Sequence, residues 1–234
     1  MIKAVLTIDD IASNNTPAIV DYLNEKGIKC VMFAWGAMVE SHYDAALYAL
    51  KNGIIVGNHS YSHPNFSMLS LDECIAEIEK NEQILNELYE KAGVERKYRP
   101  FRFPYGDKGG ANKDALQRYL AEKGFDKLSD FHIPYEWWKE KGLDKDIDTF
   151  WTFDLAEYNI RKGSGFTADD VLKRIYDTSP SEGASILAPD GGHIILLHAH
   201  DETEELVPGY YKQFLDILLE NGVTFTEPKF TGKE

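Results

Sequence analysis

Short apolar runs rich in Val, Ile and Phe alternate along this chain with longer stretches of helical period, and no other feature restricts its fold as much. Such alternation is the pattern of repeated strand and helix units around a mostly parallel sheet. Strands are predicted at "KAVLTI" (3–8), "KCVMFAW" (29–35), "IIVGNH" (54–59), "RPFRFP" (99–104), "FDKLSDF" (125–131), "DTFWTFD" (148–154), "HIILLHA" (193–199) and "VTFTEP" (223–228). Helices are predicted over 16–27, 43–53, 70–93, 112–124, 167–179 and 210–222, several closing on the glycine that a left-handed C-terminal position favours. In the third of these, Leu71, Cys74, Ile75, Ile78, Ile84, Leu85 and Leu88 recur at helical spacing, with Ser70 as N-cap and Glu73 three residues on. No linker or composition break divides the units, so residues 1–234 are expected to form one domain closed as a barrel or nearly so.

Composition narrows the partners. With 43% hydrophobic residues the chain can bury one sizeable core, and a formal charge of −14 repels phosphate backbones and anionic headgroups, so neither nucleic acid nor a membrane surface is expected. No long apolar run suits a membrane span, and the first residues, "MIKAVLTIDD", do not resemble a signal peptide. The two cysteines, Cys30 and Cys74, are expected to be reduced core residues, which fits a cytoplasmic location. The irregular stretch 132–148, "HIPYEWWKEKGLDKDID", is long for a connection. Its Tyr135, Trp137 and Trp138 suit either a lid or substrate wall, or an insertion covering the barrel's side.

In folds of this kind the loops after the strands share one face, where ligands bind. Asp9 and Asp10, His59 and His63, Arg102 to Gly106, Asp154 and His198 all fall at such strand ends. His59 and His63, four apart, can share one side of a helical turn that stops before Pro64, as a divalent metal requires. Two histidines and one carboxylate leave coordination positions open, the mark of a catalytic rather than a structural site. Neighbours in an extended strand face opposite ways, so Asp9 and Asp10 both reach the site only if the chain curls there, one as ligand and the other as base. "RFPYG" couples Arg102, able to clamp a carboxylate by two hydrogen bonds, to a rigid turn whose backbone N–H can face a developing oxyanion. Strand alternation puts His198 at the mouth, where His200 competes with it, whereas His42, His132 and His193 read as structural.

Taken in order, "TIDD", "HSYSHP", "RFPYG", "DLAEY" and "LLH" resemble the five motifs of the polysaccharide deacetylase family, known also as carbohydrate esterase family four. The resemblance runs from Thr7 to His198. It implies a distorted (β/α) barrel of about seven parallel strands and a divalent metal, commonly zinc with cobalt, nickel or manganese as substitutes, on Asp10, His59 and His63. It implies that Asp9 is the base, held by Arg102, and that His198 is the acid, tuned by Asp154, with the Tyr105 backbone N–H on the oxyanion. Departures are "IASN" after Asp10, Glu157 and Tyr158 in place of Asp and Trp, and Ala199 with His200 after the last motif.

The expected activity is removal of N- or O-linked acetyl groups from a carbohydrate, with Tyr61, Tyr105, Trp151 and Tyr158 available to stack on the sugar. Three alternatives compete with it: hydrolysis of a small acylated, non-sugar amide or imide, a non-catalytic carbohydrate-binding module, and a glycosidase using paired carboxylates.

Overall fold

The apolar runs close on one another as parallel strands in a computed structural model that describes residues 1–231. They form β1 (Ile2–Ile11), β2 (Cys30–Ala34), β3 (Ile55–Asn58), β4 (Phe153–Asp154), β5 (Gly192–His198) and β6 (Val223–Phe225). The sheet order is β3-β2-β1-β5-β4, with β6 against the first residues of β1, and every ladder is parallel. Around it lie α1 (Thr16–Lys26), α2 (Gly36–Ser41), α3 (Tyr43–Lys51), α4 (Leu71–Ala92), α5 (Lys113–Glu122), α6 (Glu136–Glu140), α7 (Ala168–Ile175), α8 (Asp201–Leu206) and α9 (Tyr210–Glu220). All six expected helices are present, and α4 carries the reciprocal Ser70–Glu73 capping box. The three unexpected ones, α2, α6 and α8, are too short to show a period.

Two expected strands shrink to single bridges. At 99–104 only Phe101 pairs, with Asn58, and 125–131 contributes Leu128, paired antiparallel with Phe230. Pro100 has no N–H to give a ladder, and Pro104 turns the chain away. The two sheet edges, β3 and β4, are nevertheless connected: Arg102 N donates to Asn58 O (3.0 Å) and Thr149 N to Phe101 O (2.7 Å), just before β4. The sheet itself stays open between β3 and β4, and isolated bonds through the 99–104 segment take the place of a closing ladder. Gly57 allows the close approach, since a Cβ there would lie 2.7 Å from Pro100 O.

Side-chain alternation sorts the core into layers. Leu6, Ile8, Met32, Ile195 and Leu197 pack outward among the helices, while Val5, Val31, Phe33 and Ile194 belong to a separate cluster. That second cluster is completed by Ile133, Trp138 and Leu143, with Tyr135 and Trp137 against it. Tyr135 Oη shares a 3.0 Å hydrogen bond with His193 Nε2 at the beginning of the seven-residue β5, the end opposite to His198. The stretch 132–148 is therefore a plug at the N-terminal end of the barrel and not a lid. Among the described residues no helix is long and apolar enough to cross a membrane.

Candidate active site and metal centre

The curl needed to turn both aspartates inward is present at the end of β1. Asp10 takes a left-handed φ of 61°, and the β1–β2 register slips between Ile8 and Ile11. Such a local irregularity re-aims side chains at a sheet's end. His59 N continues the ladder by donating to Ala34 O (3.0 Å), but the chain beyond it forms no helix. Ser60 and His63, with φ of 63° and 58°, bend it into an irregular loop instead, so the two histidines meet through a turn and not through helical periodicity. Side chains pin that loop: Ser60 N donates to Asn58 Oδ1 (2.8 Å), His63 N to Ser60 Oγ (3.1 Å), and Ser62 N to Glu77 on α4 (2.7 Å).

Three ligand atoms converge. His59 Nε2 and His63 Nε2 are 3.2 Å apart, and Asp10 Oδ1 lies 3.6 Å from the first and 3.3 Å from the second. Around a tetrahedral zinc with ordinary bond lengths, donor atoms are separated by about 3.3 Å, so this triangle fits one face of such a site. Tautomer chemistry agrees: His59 Nδ1 donates to the Arg102 carbonyl (2.8 Å), which leaves Nε2 with its lone pair toward the centre. Asp10 Oδ1 is buried without a hydrogen-bond donor, an orphan that a cation would satisfy. Burial and the neighbouring His59 push the His63 pKa down to about 4, keeping it neutral and able to ligate at pH 7. Burial alone would raise the Asp10 pKa, but the His200 hydrogen bond and the surrounding imidazoles bring it well below the ordinary carboxylate range.

Asp9 lies beside this triangle. Its Oδ1 accepts from Arg102 Nη1 (2.8 Å) and its Oδ2 is 3.5 Å from His59 Nε2. Arg102 is fully buried, its Nε donating to Thr149 O (3.0 Å) and its Nη1 also to Thr7 Oγ1 (2.8 Å), with the guanidinium over the Phe33 ring. The clamp on Asp9 is a single hydrogen bond and not the expected pair. Tyr105, at φ 58°, packs its exposed ring edge-on against His63.

On the opposite wall His198 is hydrogen-bonded to Glu157, a partner not singled out in the sequence, rather than to the expected Asp154. Its backbone N–H (2.6 Å) and Nδ1 (3.1 Å) both donate to Glu157 Oε1, whereas Asp154 accepts from Ala156 N (2.7 Å). Asp154, with a carboxylate oxygen within 4.8 Å of a His198 ring nitrogen, adds its charge without a hydrogen bond, and burial raises its own pKa. Burial disfavours the imidazolium, but the Glu157 hydrogen bond and charge, together with the charges of Asp10 and Asp154, outweigh it and bring the His198 pKa up to about 10. Asp154, Glu157 and His198 thus form a carboxylate–imidazole group, hydrogen-bonded through Glu157. His200, the competitor, is separated from it: its Nε2 donates to Asp10 Oδ2 (2.7 Å).

Asp9, Asp10, His59, His63, Asp154, His198 and His200 line one cleft of about 370 Å³, together with Trp35, Tyr105, Trp151, Tyr158, Arg161 and Leu196. A side lobe of about 250 Å³ shares Asp10, Trp35, Arg161 and His200 with it. Of the four aromatics expected to stack on a sugar, Tyr61 is absent from the lining; its Oη donates to Glu40 (3.0 Å) and Lys80 covers its ring. Trp35 was missed although it follows β2, where the same strand-end logic applied. Glu157 was visible only as a departure from a motif. His193, by contrast, is a satisfied structural histidine, bonded to Tyr135 and to Thr152 Oγ1 (3.1 Å), and His132 Nε2 bonds to the His193 carbonyl (2.9 Å).

Known proteins share this arrangement's sequence and fold. A peptidoglycan-N-acetylglucosamine deacetylase of Bacillus cereus is 36% identical over 106 residues, covering 45% of this chain and 37% of that protein. Chitin deacetylase 1 of Cryptococcus neoformans is 28% identical over 220 residues, 93% of this chain and 41% of the relative. The chain thus spans about two fifths of the length of these curated relatives. A crystal structure of a peptidoglycan N-acetylglucosamine deacetylase with a bound hydroxamate-type benzamide superposes at TM-score 0.65 and 22% identity, covering 96% of this chain and 85% of that one. The family model described as polysaccharide deacetylase matches residues 2–126, more than half of the chain and the part that carries both aspartates, both loop histidines and Arg102. With that match and the site it encloses, the chain belongs to the polysaccharide deacetylase family.

Proposed function

We propose that residues 1–234 act as one catalytic unit, a metal-dependent hydrolase that removes N- or O-linked acetyl groups from a carbohydrate such as an N-acetylglucosamine-containing oligosaccharide. The observation that carries this reading is the convergence of Asp10 Oδ1, His59 Nε2 and His63 Nε2 within 3.6 Å, flanked by Asp9 and His198 in one cleft. The curated relatives named above, a peptidoglycan and a chitin deacetylase, support the substrate class. Zinc is the cation proposed, on the grounds of two imidazoles and one carboxylate at tetrahedral spacing. When bound, it supplies a Lewis acid that polarises the acyl carbonyl and acidifies a water.

The chain's own groups then divide the work. Asp9, oriented by Arg102, takes a proton from the attacking water as the water's oxygen bonds to the acyl carbon. The Tyr105 backbone N–H donates to the carbonyl oxygen as it becomes negative. His198, held protonated by Glu157, gives its proton to the leaving nitrogen or oxygen as that bond to carbon breaks. Acetate and a free amine or alcohol result. Trp35, Tyr105, Trp151 and Tyr158 offer rings against which a sugar can stack. The reading puts the protein in the cytoplasm, supported by its two buried free thiols.

Acetate release from N-acetylglucosamine oligomers and from small amides and imides, measured after chelation and again after zinc is restored, tests this function. Zinc-dependent release from the oligomers is expected. Turnover of the small amides alone would replace the carbohydrate with a small acylated substrate, and oligomer binding without release would make the chain a binding module.

A further inference from the structure

The two loop segments in which the chain departs from its family's pattern, "IASN" after Asp10 and "AHD" after His198, are far apart in sequence yet hydrogen-bonded to each other. The Asp201 carboxylate accepts from Asn14 N (3.1 Å), Asn14 Nδ2 (2.6 Å) and Asn15 N (3.1 Å). Asn15 Nδ2 donates to the His200 carbonyl (3.4 Å), and Glu204 N in α8 donates to the same oxygen (3.1 Å). His200 is therefore fixed at its backbone, and its ring reaches across to donate from Nε2 to Asp10 Oδ2 (2.7 Å).

That bond decides how Asp10 presents itself. A carboxylate has two equivalent oxygens and a freely turning χ2; with neither held, it can offer a cation one oxygen, the other, or both. Here Oδ2 is engaged by His200, and Oδ1 alone faces His59 and His63. His200 itself lies outside the group of ligand atoms formed by Asp10, His59 and His63.

We infer that His200 is a positioning residue for the metal centre: held by the Asn14–Asn15–Asp201 contacts, it engages Asp10 Oδ2 so that Oδ1 is the single oxygen given to the cation. The inference rests on the metal centre proposed above. Partners of metal ligands in other proteins set affinity by about 10–100-fold when removed. His200→Ala should weaken zinc binding by that factor. His200→Gln, whose amide can still donate to Oδ2, should recover most of it.

The test is a chelator-competition titration of zinc on the full chain and on His200→Ala, His200→Gln and Asp201→Asn, alongside visible spectra of the cobalt(II)-loaded proteins. Expected are a Kd raised about 10–100-fold in His200→Ala, a smaller loss in His200→Gln and Asp201→Asn, and a cobalt spectrum in His200→Gln that superposes on that of the unaltered chain. The native spectrum also separates positioning from a general loss of structure, which the glutamine variant controls for. A Kd for His200→Ala within twofold of the original would overturn the inference while leaving the metal centre intact. Altered cobalt bands in His200→Gln would overturn it too, because His200 would then be a ligand itself. If the unaltered chain bound no zinc, the metal centre would fall and the inference with it.

Discussion

Strand β5 carries one histidine at its beginning and another at its end, and the barrel treats them in opposite ways. His193, at the N-terminal end, is fully buried with both ring nitrogens hydrogen-bonded, under a plug built from Tyr135, Trp137 and Trp138. His198, at the C-terminal end, borders the cleft with one nitrogen held by Glu157, while across from it the Nε2 atoms of His59 and His63 face the orphaned Asp10 Oδ1. Residue type does not distinguish the two ends. What distinguishes them is whether the surrounding groups complete the hydrogen bonds of the imidazoles and carboxylates or leave them to be completed by a ligand.

The sharpest way to break this comparison is at the unsatisfied end. His63→Ala removes one corner of the ligand triangle, so bound zinc by elemental analysis and acetate release should both fall to background. Asp9→Asn should cut turnover by about 10²–10⁴-fold, the usual weight of a general base, with zinc content unchanged because Asp10 Oδ1 and the two histidines remain. Full turnover in Asp9→Asn would remove Asp9 from the role of base.

The contrast between ends also explains what could be read from the sequence. Strand-end positions put Asp9, Asp10, His59, His63, Arg102 and His198 on one face, because parallel strand and helix repeats fix direction without needing any tertiary detail. Helices with full turns were legible from their period, and α2, α6 and α8 were too short to have one. Side-chain partners were a different matter. Whether Asp154 or Glu157 meets His198 depends on the turn after β4, where Ala156 takes a left-handed φ of 58° and Asp154 folds back on its backbone. The plug could not be told from a lid either, since an aromatic-rich insertion has the same composition at both ends of a barrel. His59 and His63 were correctly paired, but for a helical turn that the chain does not make.

At the satisfied end, Trp138→Ala should cost about 3–5 kcal/mol of stability, the range for emptying a buried aromatic site, and it also removes the hydrogen bond that Trp138 Nε1 gives Asp130 (2.8 Å), leaving Asp130 paired with Lys127 alone (3.2 Å). Denaturant unfolding measures that loss. Because Trp138 is not among the residues that line the cleft, KM for the acetylated substrate should stay within about twofold. A selective change in KM would return the 132–148 stretch to the substrate.

Glu157→Gln is a milder test of the cleft. With Glu157 ionised, and Asp10 and Asp154 adding their charges, the His198 pKa is raised to about 10, so its acid form persists well above neutrality and the limb of the pH profile that it sets lies on the alkaline side. Removing the carboxylate charge withdraws most of that support, and the alkaline limb of kcat/KM should move down by about one unit or more, each unit corresponding to about 1.4 kcal/mol. Asp154→Asn should move it less, since Asp154 acts on His198 through its charge and without a hydrogen bond. The reverse order would reinstate Asp154 as the tuning group.

The effect absent at neutral pH belongs to His193, and its sign follows from burial. Burial, with His132 adding to it, pushes the His193 pKa down to about 4, below the value near 6.5 that an unfolded histidine takes. Between those two pH values the unfolded chain binds a proton that the folded chain refuses, so stability is full above the upper value and is lost as pH falls toward the lower one, by at most about 1.4 kcal/mol per pH unit. His63, lowered to about 4 as well, adds a second such slope in the protein without zinc, and zinc should steepen it by binding only the neutral form. His193→Gln removes one slope and leaves the other. Its unfolding free energy should therefore fall less steeply from pH 6.5 to pH 4 than that of the unaltered chain, with acetate release per folded molecule unchanged at pH 7; an equal slope would mean that His193 takes up its proton while folded.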